Sequence, residues 1–217
     1  NEAPPLVQRL DRCYAGALYD VMRELGHPGC VLPHEIKGID PEFRVSGPAF
    51  TVQGHLEPGI DPHETLLRWT EFLSMAPAGC VVVCQPNDRS IAHMGELSAE
   101  TLQYRGVRGY VVDGGSRDSE FILKIGFPVF CRYRSPRDVV GTWVPDSFNE
   151  PIDIGGVSIS SGDLIFGDID GVIVIPRNLA ETVVRRTEEV MNTENLVRKA
   201  ILQGVDPKAA YLEHGLF

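Results

Sequence analysis

The chain has 217 residues, 43% of them apolar and 23% charged, with a formal net charge of −10. A chain of this length buries about 70% of its unfolded surface, enough for one substantial core, and its acid excess argues against nucleic acid as a partner, which needs clustered Lys and Arg. No apolar run reaches the roughly 18 residues of a membrane span, and the opening NEAPPLVQRLDRCYAG lacks the basic flank and apolar stretch of a secretion signal.

Residues 6–26 carry the spacing of an amphipathic helix that ends at Gly26, ahead of His27-Pro28-Gly29. Arg44 to Val52 reads as strand, turn, strand, and residues 61–75 as a helix with Leu66, Leu67, Phe72 and Leu73 as its apolar positions. Gly79 to Cys84 is a continuous apolar run, as expected of a strand covered on both faces. Helix 95–105, strand 109–113, helix 118–125 and strand 127–131 follow, an alternation that implies βαβ units and a mainly parallel sheet. Short strands at 157–160, 164–166 and 172–175 are split by Gly162-Asp163 and Asp170-Gly171, and Asp-Gly between apolar runs signals a hairpin. Asn178 and Glu181 resemble a capping box opening a long helix that runs to Gly204. A short helix over 207–213 closes the chain. The expectation is a single α/β domain over 1–217, with an N-terminal helix in 1–30, a sandwich core in 31–177 and C-terminal helices in 178–217. Its core joins a parallel βαβ portion to a hairpin-rich second half, which suggests an α/β or layered β/β/α sandwich.

The five cysteines, Cys13, Cys30, Cys80, Cys84 and Cys131, form no C-x-x-C pair and read as buried, reduced thiols of a cytoplasmic protein. Chemistry concentrates in GELSAETLQYRGVRGYVVDGGSRD, Gly95 to Asp118. Turns at Gly95-Glu96-Leu97 and Asp113-Gly114-Gly115 fall where helices begin or strands end, and there unpaired N–H groups suit small anions. Asp118 has two readings, the N-cap of helix 119–125 or a ligand of Mg²⁺ or Mn²⁺, because hard cations prefer carboxylate oxygens and water. Arg117 is either a structural ion pair or a fork for a substrate carboxylate. Glu96 is either a first-turn acid that favours the helix dipole or a holder of metal-bound water. Arg132 and Arg134 share a strand face and could line a pocket for a second carboxylate, but with Arg137 they read rather as a solvated face or a subunit contact; His93, just before the Gly95 turn, could face the pocket but reads as an ordinary polar residue, and Asp168-Ile169-Asp170-Gly171 reads as a hairpin turn. No G-x-S-x-G, Walker A or G-x-G-x-x-G sequence is present.

With these residues in view, the chain resembles the family of the regulator of ribonuclease activity A (RraA) and the 4-hydroxy-4-methyl-2-oxoglutarate/4-carboxy-4-hydroxy-2-oxoadipate aldolases. The resemblance rests on Gly95-Glu96-Leu97, on GVRGYVVDGGSRD (Gly106 to Asp118) and on Gly126 to Phe130, with Ser46 to Ala49 and Gly162 to Pro176 adding to it. It covers roughly residues 10–200. The fold it implies is the layered β/β/α sandwich, assembled as a homotrimer or homohexamer with sites between subunits. The activity it implies is a metal-dependent lyase that cleaves a 4-hydroxy-2-oxo di- or tricarboxylic acid to pyruvate and decarboxylates oxaloacetate. By resemblance, Asp118 is the direct ligand of Mg²⁺ or Mn²⁺, and Arg117 binds the pyruvate carboxylate and enolate oxygen. Glu96 holds metal-bound water, and Gly95 with the amides of Leu97 and Ser98 lines the pyruvate site. Glu194 is the candidate for a glutamate from a neighbouring chain's late helix that completes the water shell. The family pattern often has an acid three residues beyond the Asp. Here Phe121 stands in that place and Glu120 beside it is the available substitute. Two rival functions follow from the same residues: a non-catalytic regulator that binds a ribonuclease or helicase, and a dehydratase or hydratase of a sugar acid on the same metal site.

Overall fold

The computed structural model describes residues 5–217. Its first half runs α1 (Leu6–Leu10), α2 (Ala15–Glu24), β1 (Lys37–Gly38), β2 (Val45–Leu56), α3 (Pro62–Met75), β3 (Val81–Gln85), α4 (Glu96–Tyr104), β4 (Gly109–Val112), β5 (Gly115–Ser116), α5 (Ser119–Ile125) and β6 (Val129–Cys131). The second half runs β7 (Tyr133–Arg134), β8 (Trp143–Phe148), β9 (Ile152–Ile154), β10 (Val157–Ile159), β11 (Leu164–Asp168), β12 (Gly171–Ile175), α6 (Ala180–Leu202) and α7 (Pro207–His214).

The βαβ expectation holds: β2, β3, β4 and β6 pair in parallel, and α3, α4 and α5 make the crossovers. Alternation along the strands sorts their side chains to two faces. Val82, Cys84, Tyr110, Val112 and Val129 pack under α3 to α5 with Phe72, Leu102 and Ile122. Val81, Val83, Val111 and Phe130 face the opposite way, onto β9 to β12 through Ile152, Ile154, Ile165, Val172 and Val174. Beyond that layer, Leu164, Phe166, Ile173 and Ile175 turn outward to meet Leu18, Val21 and Met22 of α2 and Val183 and Val184 of α6. The result is the expected α/β layered sandwich, with helices on both outer faces of a sheet that curls on itself in the order β1-β6-β4-β3-β2-β11-β12. All five cysteines are free and buried, and Cys80 and Cys84 share one face.

Four local expectations are corrected. The helix over 6–26 breaks at residues 11–14, because distant groups claim that stretch. Asp11 accepts from Arg108 Nη2 at 2.8 and 3.0 Å, and the Ala15 N–H that opens α2 donates to Asp168 Oδ2 at 2.9 Å. Residues 44–52 contain no turn, for β2 is one strand of 12 residues. Pro48 falls at the end of the β11 ladder, so its missing N–H leaves no gap in mid-sheet. The Asp170-Gly171 hairpin forms between β11 and β12, but Gly162-Asp163 joins β10 and β11, which do not pair with each other: β10 pairs with β9, and β11 with β12 and β2. No capping box opens α6: a 3₁₀ turn at Arg177–Leu179 leads in, Leu179 is the N-cap, and Glu181 is drawn to Arg9 Nη1 at 2.6 Å. The sequence reading also left β8 unassigned. It pairs antiparallel with the far end of β2 across a bulge between Gln53 and Gly54.

Candidate active site

The loops that leave the carboxyl ends of β3, β4 and β6 converge, which is where open parallel sheets gather ligands. Main-chain bonds tie them together: Ala92 N donates to Arg137 O at 2.8 Å, His93 N to Gly115 O at 2.9 Å and Arg117 N to Met94 O at 2.9 Å. Beneath them, His93 is fully buried, with Nε2 3.1 Å from Asp88 Oδ2 and Nδ1 accepting from Gly115 N at 3.3 Å. Those partners fix the neutral tautomer, its proton on Nε2. Burial pushes the pKa of His93 down to about 4 although Asp88 pulls the other way. Asp88 is in turn held by Ser90 Oγ and by the N–H groups of Ser90 and Ile91, and these bonds outweigh burial and keep its carboxyl below the usual range. A side chain at Gly114 would run into the His93 ring, and one at Gly115 into the Tyr133 ring and Ile91 O, which accounts for the double glycine there. His93 therefore braces the turns from a fully buried position and also borders the cavity above them.

Above this knot opens a cavity of about 440 Å³, within the size of small-ligand sites. Gly95, Glu96, Leu97, Ser98, Arg117 and Asp118 all line it. Asp118 is the N-cap residue of α5, yet it sits at φ 54°, ψ 34°, in the left-handed region, and its side chain caps nothing in that helix. Its Oδ2 instead accepts the Glu96 N–H at 3.1 Å, the first N–H of α4. The carboxylate thus rests at the positive end of a neighbouring helix. Among the described residues, no hydrogen bond reaches Oδ1. Gly95 permits this approach, for a Cβ there would lie 2.8 Å from Asp118 Oδ2 and 3.3 Å from Arg117 Nε.

Arg117 is held loosely. Its Nε stands 3.6 Å from Asp118 Oδ2, and its Nη1 stands 3.5 Å from Asp138 Oδ2 and 3.4 Å from Pro136 O. Most of its five donors are unspent. Within α4 the first backbone bond is Ala99 N to Gly95 O, so the N–H groups of Leu97 and Ser98 have no partner inside the helix. Ser98 Oγ accepts from Trp69 Nε1 at 2.8 Å.

Other candidates lie elsewhere. Glu194 bonds Tyr14 Oη and lines a separate cleft with Val197 and Arg198, so within one protomer it does not reach Asp118. Glu120 pairs with Lys124 at 2.8 Å, and that ammonium lies over the half-exposed Phe121 ring at 5.0 Å. Arg132 is bound by Asp113 and Glu35, and Arg134 donates to Ile39 O. Asp138 and the wall residues Leu66, Trp69, Val139 and Val140 were not singled out as site residues from sequence, and only the apolar spacing of α3 carries any trace of them.

Among the described residues, no group of three or more His, Cys, Asp or Glu forms a protein cage for a metal ion. Mg²⁺ and its analogues need no such cage, being held commonly by one or two carboxylates with water and substrate oxygens. Asp118, with Oδ1 free and Glu96 on the same cavity, fits that kind of donor set.

A family model described as RraA-like, Aldolase/RraA, matches residues 15–174. The chain belongs to the RraA-like family. A relative in Halalkalibacterium halodurans, named "Putative 4-hydroxy-4-methyl-2-oxoglutarate aldolase", is 32% identical over 182 residues, 84% of this chain and 83% of that protein. A solved structure of an uncharacterized protein from Pseudomonas syringae pv. tomato superposes with a TM-score of 0.87 at 27% identity, covering 98% of this chain and 95% of the other. Streptomyces coelicolor RraAS2, described as an unusual member of the RNase ES inhibitor RraA protein family, gives a TM-score of 0.80 at 25% identity over 92% and 99% of the two chains. This RraA-like chain is thus similar both to a protein named for an aldolase and to one named for an inhibitor family.

Proposed function

We propose that this protein is a divalent-metal-dependent carbon–carbon lyase that cleaves a 4-hydroxy-2-oxo acid to pyruvate and decarboxylates oxaloacetate. The observation that carries the reading is the meeting, in one cavity, of an unspent Asp118 oxygen, the loosely held Arg117 guanidinium and the open N–H groups of Leu97 and Ser98. Asp118 would hold Mg²⁺ or Mn²⁺, which when bound supplies Lewis acidity toward the oxygens of a 2-oxo acid. The rest is the work of the chain itself. Arg117 and the α4 N-terminus receive the substrate carboxylate. As the bond beyond C3 breaks, its electron pair moves toward the 2-oxo oxygen, and Arg117 meets that charge with a preorganised donor. Glu96 orients the water that accepts the 4-hydroxyl proton. His93 takes no part, because both its nitrogens are spent below the cavity floor. Glu194 would join the site only from a second copy of the chain, as in a trimer or hexamer with shared sites.

Pyruvate release can be followed through lactate dehydrogenase with oxaloacetate and 4-hydroxy-4-methyl-2-oxoglutarate. Turnover is expected with Mg²⁺ or Mn²⁺ and lost with EDTA or in Asp118→Ala. A rate indifferent to both ends this reading. The likeness to RraAS2 and the acidic charge favour a second reading, a partner-binding regulator. It predicts no turnover and a protein partner retained in pull-down. Product without pyruvate would point to dehydration.

A further inference from the structure

His93 is fully buried, and each of its polar atoms is taken by a neighbour. Its N–H donates to Gly115 O at 2.9 Å and its carbonyl accepts from Tyr110 Oη at 2.9 Å. Nδ1 accepts the Gly115 N–H at 3.3 Å, and Nε2 stands 3.1 Å from Asp88 Oδ2. These partners come from three segments: β5, β4 and the loop after β3. The ring is wedged as well as bonded. Trp143 meets it edge to face at 5.2 Å between ring centres, and a Cβ at Gly114 would lie 2.4 Å from Nδ1. From His93 a short ladder leads to the cavity. Ala92 bridges Gly115 in parallel, Arg117 N donates to Met94 O at 2.9 Å, and Glu96 N donates to Asp118 Oδ2 at 3.1 Å. A slip of the Gly114-Gly115 turn against residues 92–94 would therefore carry Arg117 and Asp118 away from the N-terminus of α4. β5 is only two residues long, and two glycines precede its end, so the backbone alone resists such a slip weakly.

We infer that His93 is a positioning residue: through its Nδ1–Gly115 bond it sets the register of the Gly114-Gly115 turn, and with it the placing of Arg117 and Asp118 against α4. This rests on the lyase reading above and adds to it the residue that holds the site in shape. His93 stays out of the chemistry and acts through Gly115. Asp88 supports it by taking the Nε2 proton, which leaves Nδ1 as the acceptor that the Gly115 N–H requires. That carboxylate is itself fixed by Ser90 Oγ and by the N–H groups of Ser90 and Ile91, so the ring is held from both ends. All of these contacts lie within one chain, and they hold whatever a second copy adds at the cavity rim.

The test titrates the full chain with oxalate, a planar mimic of the pyruvate enolate, in the presence of Mn²⁺, by calorimetry on folded protein, beside kcat for oxaloacetate. Three variants separate positioning from mere support. His93→Asn keeps an acceptor close to the place of Nδ1, His93→Gln keeps a donor close to that of Nε2, and His93→Met fills the space with neither. The Asn variant should bind oxalate within about threefold of wild type, whereas Gln and Met should lose about 10–100-fold in both oxalate affinity and kcat, the scale of a small misplacement of reacting groups. A purely structural role would lower the unfolding midpoints and leave the oxalate affinity of folded molecules unmoved in all three. That result, or an Asn variant as weak as Gln and Met, overturns the inference and leaves the lyase standing. Should His93→Gln fail to fold, Met against Asn makes the same comparison. A wild-type chain that releases no pyruvate from oxaloacetate or from the 4-hydroxy acid fails the lyase reading and this inference with it, an outcome read without any variant.

Discussion

Two turns of this chain look alike in sequence and differ in what the fold leaves them free to do. Asp118 lies two residues beyond the Gly115–Ser116 strand, and Asp168 ends β11 directly after Gly167. Asp168 is 5% exposed, and both of its oxygens are filled, Oδ2 by the Ala15 N–H and Oδ1 by the Asp170 N–H, each at 2.9 Å. It closes a hairpin and starts a helix 153 residues away in sequence. The Asp118 side chain is 38% exposed, takes one N–H, and stands in a left-handed conformation that ordinary residues avoid. Such strain, of the order of 1–2 kcal/mol, persists where the surroundings over-determine it, and it gathers at sites that bind or react. The difference teaches that residue type does not mark a ligand. What separates the two acids is acceptor capacity that the fold leaves unspent at Asp118.

The sharpest way to break this comparison is one isosteric change at both places. Asp118→Asn keeps an acceptor for Glu96 N, and asparagine tolerates the left-handed region, so stability should stay within about 0.5 kcal/mol. Loss of the charge should lower pyruvate release by about 10²–10³, in line with removing one preorganised electrostatic group. Asp168→Asn must turn its NH₂ toward one of two backbone donors. It should cost about 1–3 kcal/mol of stability in denaturant unfolding, while activity per folded molecule is retained. Equal effects of the two changes on activity, or on stability, would erase the distinction.

Below the Asp118 turn lies a second spent acid, Asp88, and its partner His93 gives the pH dependence a sign. The folded pKa of His93, about 4, lies under the ordinary value of 6.5. Between these the unfolded chain binds a proton that the folded chain refuses, because burial disfavours the charged ring; Nδ1 is also already occupied as the acceptor of the Gly115 N–H. Stability is therefore complete above about pH 6.5 and falls as the pH drops, by about 3 kcal/mol near pH 4. Carboxylates held low by their partners, Asp88 and Glu188 among them, add to the loss only further down, near and below their own unfolded pKa. Urea midpoints from pH 7 to 4.5 should show the slope, and His93→Gln, whatever its stability at pH 7, should lack it. A flat wild-type profile would return His93 to an ordinary titrating residue.

What sequence reveals here follows distance along the chain. The crossover strands were legible because β3 and β4 are buried on both faces and read as apolar runs, and α3 because Leu66, Phe72 and Leu73 keep its spacing. The residues placed around Asp118 were legible because Gly95 to Asp118 is one contiguous stretch. The break between α1 and α2 was not, since its causes are Arg108 and Asp168, far along the chain. Pro145 and Asp146 mask β8, whose partner is the end of a strand about 90 residues earlier. Asp138 and the apolar wall enter the cavity through packing alone, and Glu194 sits with Tyr14 for the same reason.

The smallest expected effect sits two residues from Asp118, at Glu120. If the acid that the RraA-like pattern often carries at position 121 were needed, Glu120 would be the nearest stand-in. Its side chain is 76% exposed and turned along the outer face of α5 to Lys124, while the cavity is lined from α3, α4 and the loops. An exposed pair of this spacing contributes about 0.3–0.5 kcal/mol. Glu120→Ala should therefore shift the unfolding midpoint barely measurably and leave kcat/KM for pyruvate release within about twofold. Should activity instead fall by tenfold or more at unchanged stability, Glu120 would have to leave Lys124 and swing toward the cavity when substrate binds. The unspent acceptor that matters would then be shared between 118 and 120, and the contrast with Asp168 would rest on a pair of acids acting together.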